Sequence, residues 1–210
     1  MRARCDLFAV LHSFDMDSAK DHRRHSLSEV LLFAKNCLLH PRKVGSICPS
    51  SPALGRAMVS FLKDIQQSTV IELGPGTGSI TRTLLESNIN LEDFYACEIS
   101  STLVKYLQER FPKIHVREGD ASELTQIFKE LVGNVDCIFS GLPLKSLPSS
   151  TVDKIIDQKY EILKPRGTIV QFTYDLRPGK SILNKRFRHI GSKVVVANFP
   201  PARVDAFIKE

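Results

Sequence analysis

The clearest chemical feature of this sequence is a glycine-rich run at residues 74–78, directly after an apolar stretch at residues 70–73. Glycine has no Cβ and tolerates positive φ, so such a loop lets bare backbone approach a ligand closely. A helix is predicted to begin at once with Ser79, and its N-terminus would add backbone amides facing that ligand. Strand, glycine turn and helix in this order predict a cofactor site.

Two common glycine signatures do not fit this loop. A dinucleotide fingerprint has the spacing G-x-G-x-x-G, whereas here the third glycine comes one residue early and Ser79 stands where that fingerprint has Gly. A phosphate-binding P-loop is also excluded, because no Lys follows Gly78.

Acidic residues accompany the predicted strands. Glu72 lies in the first strand, Glu98 ends the second, and Asp120 follows the third. A carboxylate at such a strand end can accept hydrogen bonds from both hydroxyls of a ribose. A single acid at a strand end is usually a solvated cap, but three acids in register with a glycine loop favour a cofactor site.

The segment E-L-G-P-G-T-G, residues 72–78, resembles motif I of class I S-adenosylmethionine-dependent methyltransferases at all seven positions. The resemblance implies a Rossmann-like fold with a mostly parallel seven-stranded sheet, and S-adenosyl-L-methionine as cofactor. It also implies that Glu98 binds the ribose and Asp120 the adenine amino group. The cofactor-binding residues predicted in this way are Glu72, Gly74, Pro75, Gly76, Thr77, Gly78, Glu98, Ile99, Asp120, Ala121 and Ser140.

The segment S-G-L-P-L, residues 140–144, follows the fourth predicted strand, where open α/β sheets place substrates. Methyltransferases that act on adenine N6 in DNA or ribosomal RNA carry Asn or Asp, then Pro, then an aromatic residue. Here Ser140 replaces the Asn or Asp, and Leu144 replaces the aromatic. An extruded base would lose its stacking plane and its amine acceptor, so nucleic acid is disfavoured as the substrate.

The same loop resembles the acceptor loop of bacterial phospholipid N-methyltransferases, which methylate phosphatidylethanolamine. Further matches to that family occur in order at residues 44–51, 163–167, 171–174 and 198–204, so the resemblance covers about residues 27–207. It implies methylation of a phospholipid headgroup amine at a membrane surface. Asp205 departs from the family pattern, where an aromatic is expected, and Cys48 stands where a small aliphatic residue is common.

The acceptor amine must lose a proton before it attacks. A carbonyl of the turn at residues 140–142, the Tyr174 hydroxyl or a water molecule could orient or deprotonate it. Asp175 could complement the substrate cation or cap a loop, and Arg177 and Lys180 suit a lipid phosphate. The residues predicted to take part in catalysis are Ser140, Leu142 and Tyr174.

Positive charge is concentrated late in the chain, whose formal net charge is +6. Seven of the 29 basic residues and no acidic residue lie between Leu176 and Val204, which leaves 22 basic residues against 23 acidic ones elsewhere. The sequence therefore predicts a cationic patch, centred on residues 177–193, that is either a solvated loop or a contact for an anionic membrane surface.

The elements that position these residues follow from hydrophobic periodicity. A helix is predicted after a Ser-Ser-Pro start at residues 50–52, with a buried stripe of Leu54, Ala57, Met58, Phe61, Leu62 and Ile65. Strands are predicted at 69–73, 94–98, 114–116, 135–140, 167–174 and 193–198, and helices near 78–87, 101–110, 121–132 and 150–163. This alternation predicts a doubly wound α/β fold with helices on both faces of the sheet.

The N-terminal part is predicted to be a helical extension, residues 1–50, before a methyltransferase domain at residues 51–210. A capping box at Ser26 and Glu29 starts an amphipathic helix over residues 26–39, which either docks on the domain or contacts a membrane surface. The first ~24 residues are expected to fray.

Composition excludes several classes of protein. No apolar stretch approaches the ~18 residues of a membrane-spanning helix, and the run at residues 7–11 is too short for a signal peptide. The five cysteines form no C-x-x-C pair, so we expect reduced thiols and no metal site. We expect a cytoplasmic monomer that associates peripherally with the membrane. The alternatives left open are an rRNA or tRNA (adenine) methyltransferase, and a non-catalytic lipid- or protein-binding module.

Overall fold

The computed structural model describes residues 50–62, 69–87, 93–177 and 181–210. The predicted helix at residues 26–39, Ile65 and Lys180 lie outside these ranges. The helices are α1 (Pro52–Val59), α2 (Ser79–Glu86), α3 (Ser101–Arg110), α4 (Leu124–Ile127) and α5 (Ser149–Ile162). The strands are β1 (Thr69–Leu73), β2 (Asp93–Glu98), β3 (His115–Glu118), β4 (Val135–Ser140), β5 (Leu163–Thr173), β6 (Arg188–Val195) and β7 (Ala202–Ile208).

The strands form one seven-stranded sheet in the order β3-β2-β1-β4-β5-β7-β6. Strands β1 to β5 are parallel, and β7 lies antiparallel between β5 and β6. The predicted mostly parallel sheet of seven strands is therefore confirmed. Because β7 is antiparallel to both neighbours, β6 runs in the same direction as β1 to β5. The carboxyl ends of these six strands share one edge of the sheet, called here the carboxyl edge.

Helices cover both faces of the sheet, as predicted. On one face α1, α2 and α3 pack in a cluster with β-strand residues such as Val70, Phe139 and Val170. On the other face α5 packs in a second cluster with Ile71 and Ile138. Because the central strands are buried on both faces, they read as almost continuous apolar runs, and this is why their positions were predictable.

Helix α1 begins as its sequence predicts. The Ser51 hydroxyl accepts a hydrogen bond from the Leu54 amide at 3.2 Å, and Pro52 occupies the first turn. The Ser51 amide donates to Asn198 Oδ1 at 2.9 Å, which ties the start of α1 to the β6–β7 connection. On its inner side Gly55 packs so closely on α2 that a Cβ there would lie 2.4 Å from Thr83 Oγ1.

The helix predicted over residues 121–132 is interrupted. Only Leu124–Ile127 is α-helical, between two 3-10 turns at Ala121–Glu123 and Lys129–Leu131. Tertiary contacts override local propensity here, because Gln158 Oε1 of α5 accepts hydrogen bonds from both the amide and the hydroxyl of Thr125. Phe128, where α4 ends, is fully buried with non-helical φ and ψ of −121° and 56°.

The strand predicted at residues 193–198 was misplaced, and β7 was not among the strands predicted from periodicity. Strand β6 begins at Arg188 and ends at Val195, because an edge strand tolerates polar and exposed residues at its start. In β7 the charged residues Arg203 and Asp205 are only 3% exposed and interrupt an otherwise apolar pattern. Their mutual ion pair makes this strand compatible with the interior.

The structure does not gather the basic residues of this segment into the single cationic patch that was predicted. Three basic side chains of the segment pair with carboxylates, as Lys185–Asp153, Arg186–Asp157 and Arg188–Glu210. Lys185 and Arg186 pair with α5 on one face of the sheet, whereas Lys193 lies 4.9 Å from the centre of the Phe61 ring, on the face that α1 covers. Charges that are close in sequence are therefore separated by the sheet.

Across the ranges described above, no helix combines the length and the apolar character needed to cross a bilayer.

Candidate cofactor and acceptor site

The glycine loop joins β1 to α2 at the carboxyl edge. Gly74, Gly76 and Gly78 all have positive φ, at 67°, 59° and 80°. A Cβ on Gly78 would lie 2.3 Å from the Phe111 ring, so this glycine is required by packing, whereas a Cβ on Gly76 would meet no described atom within 4 Å. Gly76 therefore presents bare backbone to an open space, as a ligand cradle requires. Within the loop, Pro75 is buried and Thr77 is partly exposed.

Glu98, the residue predicted to bind the ribose, lies beside this open backbone. Glu98 Oε2 accepts a hydrogen bond from the Gly76 amide at 3.1 Å, and its Oε1 accepts one from the Ser100 amide at 3.1 Å. The carboxylate is thus fixed at the end of β2 against the glycine loop. The next residue, Ile99, is 69% exposed, which is unusual for a large apolar side chain beside a fixed carboxylate and fits a contact with a flat apolar ligand.

Asp120 and Ala121 follow β3 on the same edge. The amide of Gly119 donates to the Glu98 carbonyl at 3.0 Å, and this bond holds the turn beside Glu98. Asp120 Oδ1 accepts a hydrogen bond from the Ser122 amide at 2.8 Å and so caps the 3-10 turn that Ala121 begins. The fold therefore gathers the three predicted groups, the glycine loop, Glu98 and Asp120, around the carboxyl ends of β1, β2 and β3. Their contacts with a cofactor remain predictions.

Glu72 has an unmet hydrogen-bonding requirement. Its side chain is 1% exposed, and its Oε2 accepts a hydrogen bond from the Thr81 hydroxyl at 2.6 Å. Its Oε1 is buried with no hydrogen-bond partner among the described residues. Burial raises the pKa of Glu72 to about 7, because desolvation disfavours the carboxylate and the charge of Glu98 adds repulsion, while the Thr81 hydrogen bond offsets part of the shift. An orphaned buried oxygen next to an open glycine cradle fits a polar or cationic ligand group.

A pocket of about 190 Å³ is lined by residues of the predicted acceptor loop and is called here the acceptor pocket; Gly141 and Leu142 in its wall lie against Gly74 of the glycine loop. Its walls include Leu142 and Tyr174, two of the three residues predicted to take part in catalysis. A Cβ on Gly74 would lie 3.0 Å from Leu142 Cδ2, so the Leu142 side chain separates the glycine loop from the pocket. Phe172 also lines the pocket, and its ring packs edge-on against Tyr174 with 5.7 Å between ring centres.

The third predicted catalytic residue, Ser140, lies beneath the pocket. Its side chain is fully buried, and its hydroxyl accepts a hydrogen bond from Lys159 Nζ at 3.0 Å. Lys159, also fully buried, donates to Gln171 Oε1 at 3.1 Å as well. The side-chain Nε2 of Gln171 in turn donates to the Leu142 carbonyl at 3.0 Å. The Ser140 side chain therefore supports the acceptor loop from below through a network that ends at Leu142.

Lys159 is a site residue that the sequence interpretation did not include. Burial lowers its pKa to about 7, because desolvation disfavours the ammonium. A signal existed in the sequence, because Lys159 falls on the apolar face of α5 defined by Val152, Ile155, Ile156 and Ile162. A lysine in such a stripe indicates either a paired charge or a deprotonated amine.

A second polar group lies at the other side of the pocket. Arg203 donates from Nη2 to Asp205 Oδ2 at 2.7 Å and from Nε to Asp205 Oδ1 at 2.8 Å. Ser192 donates to the same carboxylate at 2.6 Å, and Arg203 also hydrogen-bonds the Arg177 carbonyl. The departure at Asp205 from the family pattern thus has a structural reason, since Asp205 neutralises a buried arginine.

Three charged residues lie around the pocket mouth. Asp175 accepts hydrogen bonds from Lys145 and from the Arg177 guanidinium, so the group carries a net positive charge. These bonds, first from Arg177 and then from Lys145, hold the pKa of Asp175 well below its usual range. The side chains of Lys145 and Arg177 are 55% and 73% exposed and remain accessible to a ligand.

Neither of the two cysteines in the described ranges lines the pocket. Cys97 and Cys137 are buried free thiols, and burial raises the pKa of Cys97 to about 12. In the part of the chain that the structure describes, no group of three or more His, Cys, Asp or Glu side chains could hold a metal ion.

Comparisons with known proteins agree with this geometry. A family model described as a methyltransferase domain matches residues 70–167. Ornithine lipid N-methyltransferase of Singulisphaera acidiphila is 28% identical over 180 residues, which cover 84% of this chain and 94% of that protein. Ribosomal RNA small subunit methyltransferase A of Synechococcus sp. (strain JA-3-3Ab) is 27% identical over 176 residues, 78% of this chain and 62% of that protein. The solved structure of N-methyltransferase NodS from Bradyrhizobium japonicum WM9, in complex with S-adenosyl-L-homocysteine, superposes with a TM-score of 0.60 at 13% identity, covering 86% of this chain and 98% of that one. At this identity the last comparison shows a shared fold.

Proposed function

Because the chain is a class I S-adenosylmethionine-dependent methyltransferase, we propose that its acceptor is the amine of a lipid headgroup, with phosphatidylethanolamine as the first substrate to test. The similarity to an ornithine lipid N-methyltransferase over most of both chains supports a lipid amine. The similarity to ribosomal RNA methyltransferases keeps RNA as the second candidate, although the chain spans only 62% of the Synechococcus protein.

The observation that carries the proposal is the composition of the acceptor pocket. Two aromatic residues, Phe172 and Tyr174, line the pocket, and aromatic rings attract an ammonium or a methylated amine. Lys145 and Arg177 at the mouth place positive charge where a zwitterionic headgroup carries its phosphate. Leu144, at the position of the base-stacking aromatic in adenine methyltransferases, is 8% exposed and packs in the core, which argues against an extruded base.

S-adenosylmethionine supplies an electrophilic methyl group on a sulfonium. The chain's own residues then have to position the acceptor and remove a proton from it. Leu142 separates the two compartments, and the Lys159–Gln171 network fixes its carbonyl. The Tyr174 hydroxyl, which has no hydrogen-bond partner among the described residues, is free to accept a hydrogen bond from the amine. Loss of the ammonium proton to water through this hydroxyl leaves the nitrogen lone pair available for attack.

The test uses labelled S-adenosylmethionine with three acceptors: vesicles of phosphatidylethanolamine, vesicles of ornithine lipid, and small-subunit ribosomal RNA. We expect label in the phosphatidylethanolamine. Label in ornithine lipid alone would keep a lipid amine and change the headgroup, label in RNA alone would overturn the proposal, and label in none would favour a binding module.

A matched pair of variants tests the cofactor site independently. Glu98→Ala removes the fixed carboxylate, and we expect it to weaken S-adenosylhomocysteine binding at least about tenfold by calorimetry, the effect of losing one or two hydrogen bonds to a charged group. Glu109→Ala, on the exposed side of α3, is the control and should bind normally. Equal affinities of the two variants would remove Glu98 from the cofactor site.

A further inference from the structure

The end of β6 and its connection to β7 expose large apolar side chains. Val194, Val196 and Phe199 are 55%, 79% and 75% exposed, and we call these three residues the apolar tip. Exposed apolar residues are common singly, but three of them within six positions, where β6 ends and its connection to β7 begins, form a patch that soluble surfaces usually avoid.

The apolar tip lies on the same edge of the sheet as the acceptor pocket. Strand β6 runs parallel to β5, so its last residues reach the carboxyl edge. In register across the sheet, Thr173 pairs with Arg203 and Arg203 pairs with Val194. Thr173 and Arg203 line the pocket, and Leu176, just beyond β5, is itself 43% exposed. A flat surface that touched the apolar tip would therefore also approach the pocket mouth.

The tip is held outward by a rigid base. Asn198, between the exposed residues, is 3% exposed. Its Oδ1 accepts from the Ser51 amide at 2.9 Å and its Nδ2 donates to the Pro200 carbonyl at 2.8 Å. Val195 and Ala202, at the ends of the two strands, are buried. The turn thus has anchored residues at its base and centre, and its apolar side chains project from this fixed frame.

The charges around the tip suit an anionic surface. Most of the described basic side chains between Leu176 and Val204 are paired with carboxylates, but the exposed Lys193, next to Val194, has no carboxylate partner among the described residues. The cluster of Lys145, Asp175 and Arg177 has two cations and one carboxylate, and both cations are more than half exposed. Basic side chains beside an apolar patch are the combination that binds a bilayer containing anionic lipids.

We propose that the apolar tip inserts into the surface of an anionic lipid bilayer and seats the carboxyl edge, with its acceptor pocket, against the headgroups. This inference rests on the proposed lipid substrate and assigns the part of the described domain that meets the membrane. It is separate from any contribution of residues 26–39. Val132 supplies an internal control, because it is 43% exposed but lies before β4, at the opposite edge of the sheet.

The test exploits the absence of tryptophan from the sequence. Phe199→Trp and Val132→Trp each create a protein with one tryptophan, at the tip and at the opposite edge. On adding vesicles of phosphatidylcholine with phosphatidylglycerol, the fluorescence of Phe199→Trp should shift to shorter wavelength and be quenched by lipids brominated on their acyl chains. Val132→Trp should show neither effect.

A second pair of variants measures the energetic contribution. The double variant Val196→Asp/Phe199→Asp should lower vesicle binding at least about tenfold, since it loses the transfer of two apolar side chains, whereas Val132→Asp should bind as the wild type does. S-adenosylhomocysteine binding should be unchanged in all variants and checks that they fold.

Three results would overturn the inference. The first is a Phe199→Trp spectrum that does not change when vesicles are added. The second is a spectrum already shifted without lipid, as expected if residues 1–49 cover the tip. The third is a spectrum that depends on protein concentration, as expected if a second copy of the chain covers the tip. Failure of the proposed function would look different from failure of this inference. The wild type would then methylate no lipid, including a micellar short-chain phosphatidylethanolamine that needs no bilayer.

Discussion

Replacing Lys159 with methionine should abolish a large pH dependence of stability. The pKa of this fully buried amine is about 7 in the folded protein, against 10.5 in the unfolded chain. Each pKa unit corresponds to about 1.4 kcal/mol, so the difference of 3.5 units is worth about 5 kcal/mol. Between pH 7 and 10.5 the unfolded chain binds this proton and the folded chain does not. The free energy of unfolding of the wild type should therefore rise with pH across that window, by up to about 5 kcal/mol from this group.

Lys159→Met has no such group, but it leaves Ser140 Oγ and Gln171 Oε1 without their donor, at a cost of about 1–3 kcal/mol each. At pH 7 these losses and the relief of desolvation nearly offset each other, so a single measurement is uninformative. The contribution of Lys159 is isolated by urea unfolding of both proteins at several pH values from 7 to 10. The buried thiols titrate equally in both proteins, so any difference in the pH dependence comes from Lys159.

The matched control is Lys154→Met, which removes an exposed lysine from the same helix. Its unfolding free energy should follow the wild-type pH dependence. If the wild type and Lys159→Met change in parallel with pH, then Lys159 is not deprotonated by burial. We also expect Lys159→Met to reduce kcat more than it changes cofactor affinity, because the network it supports ends at the Leu142 carbonyl.

Further variants probe the other buried polar groups and the glycine loop. The pKa of Glu72 is about 7 in the folded protein, so between pH 4.5 and 7 the folded state binds this proton and the unfolded chain does not. The free energy of unfolding should therefore fall by about 3 kcal/mol as the pH rises from 4.5 to 7. Glu72→Gln should remove this pH dependence in urea unfolding. Gly78→Ala combines positive φ with a steric clash and should cost about 2–4 kcal/mol in thermal or urea unfolding. Gly76→Ala has only the backbone strain, about 1–2 kcal/mol, and should affect S-adenosylhomocysteine affinity by calorimetry more than stability. Asp205→Asn should destabilise the protein by about 3–5 kcal/mol, because it leaves a buried guanidinium without its counter-charge; unchanged unfolding would indicate that water reaches the arginine.

The parts of the fold that the sequence predicted are those specified by local patterns. The cap at Ser51, strand β1 and the glycine loop depend on residues close in sequence, and all three occur where they were predicted. The glycine loop and Glu98 could be associated in advance because a strand–turn–helix unit leaves little freedom in how its parts meet.

The parts that were not predicted depend on distant partners. Asp205 of β7 accepts a hydrogen bond from Ser192 on the neighbouring strand, in addition to its ion pair with Arg203, and Gln158 of α5 shapes the region around Thr125. The spread of the basic segment over two faces follows from strands that were misplaced or missed. Lys159 could have been identified from helical periodicity alone, but its partners Ser140 and Gln171 could not, because they come from different strands.

The row of polar side chains beneath the pocket has a consequence for folding specificity. Ser140, Gln171, Asp205 and Ser192 lie level with one another on four neighbouring strands, β4, β5, β7 and β6. A slip of β7 by one residue would turn Asp205 towards the opposite, apolar face and separate it from the serine that hydrogen-bonds it. The apolar side chains of β7 would tolerate such a slip far better than this carboxylate. These polar residues, of which Gln171 and Asp205 line the acceptor pocket, therefore also select one alignment of the antiparallel strand, and substitutions there that preserve volume but not polarity should yield chains with mixed strand registers.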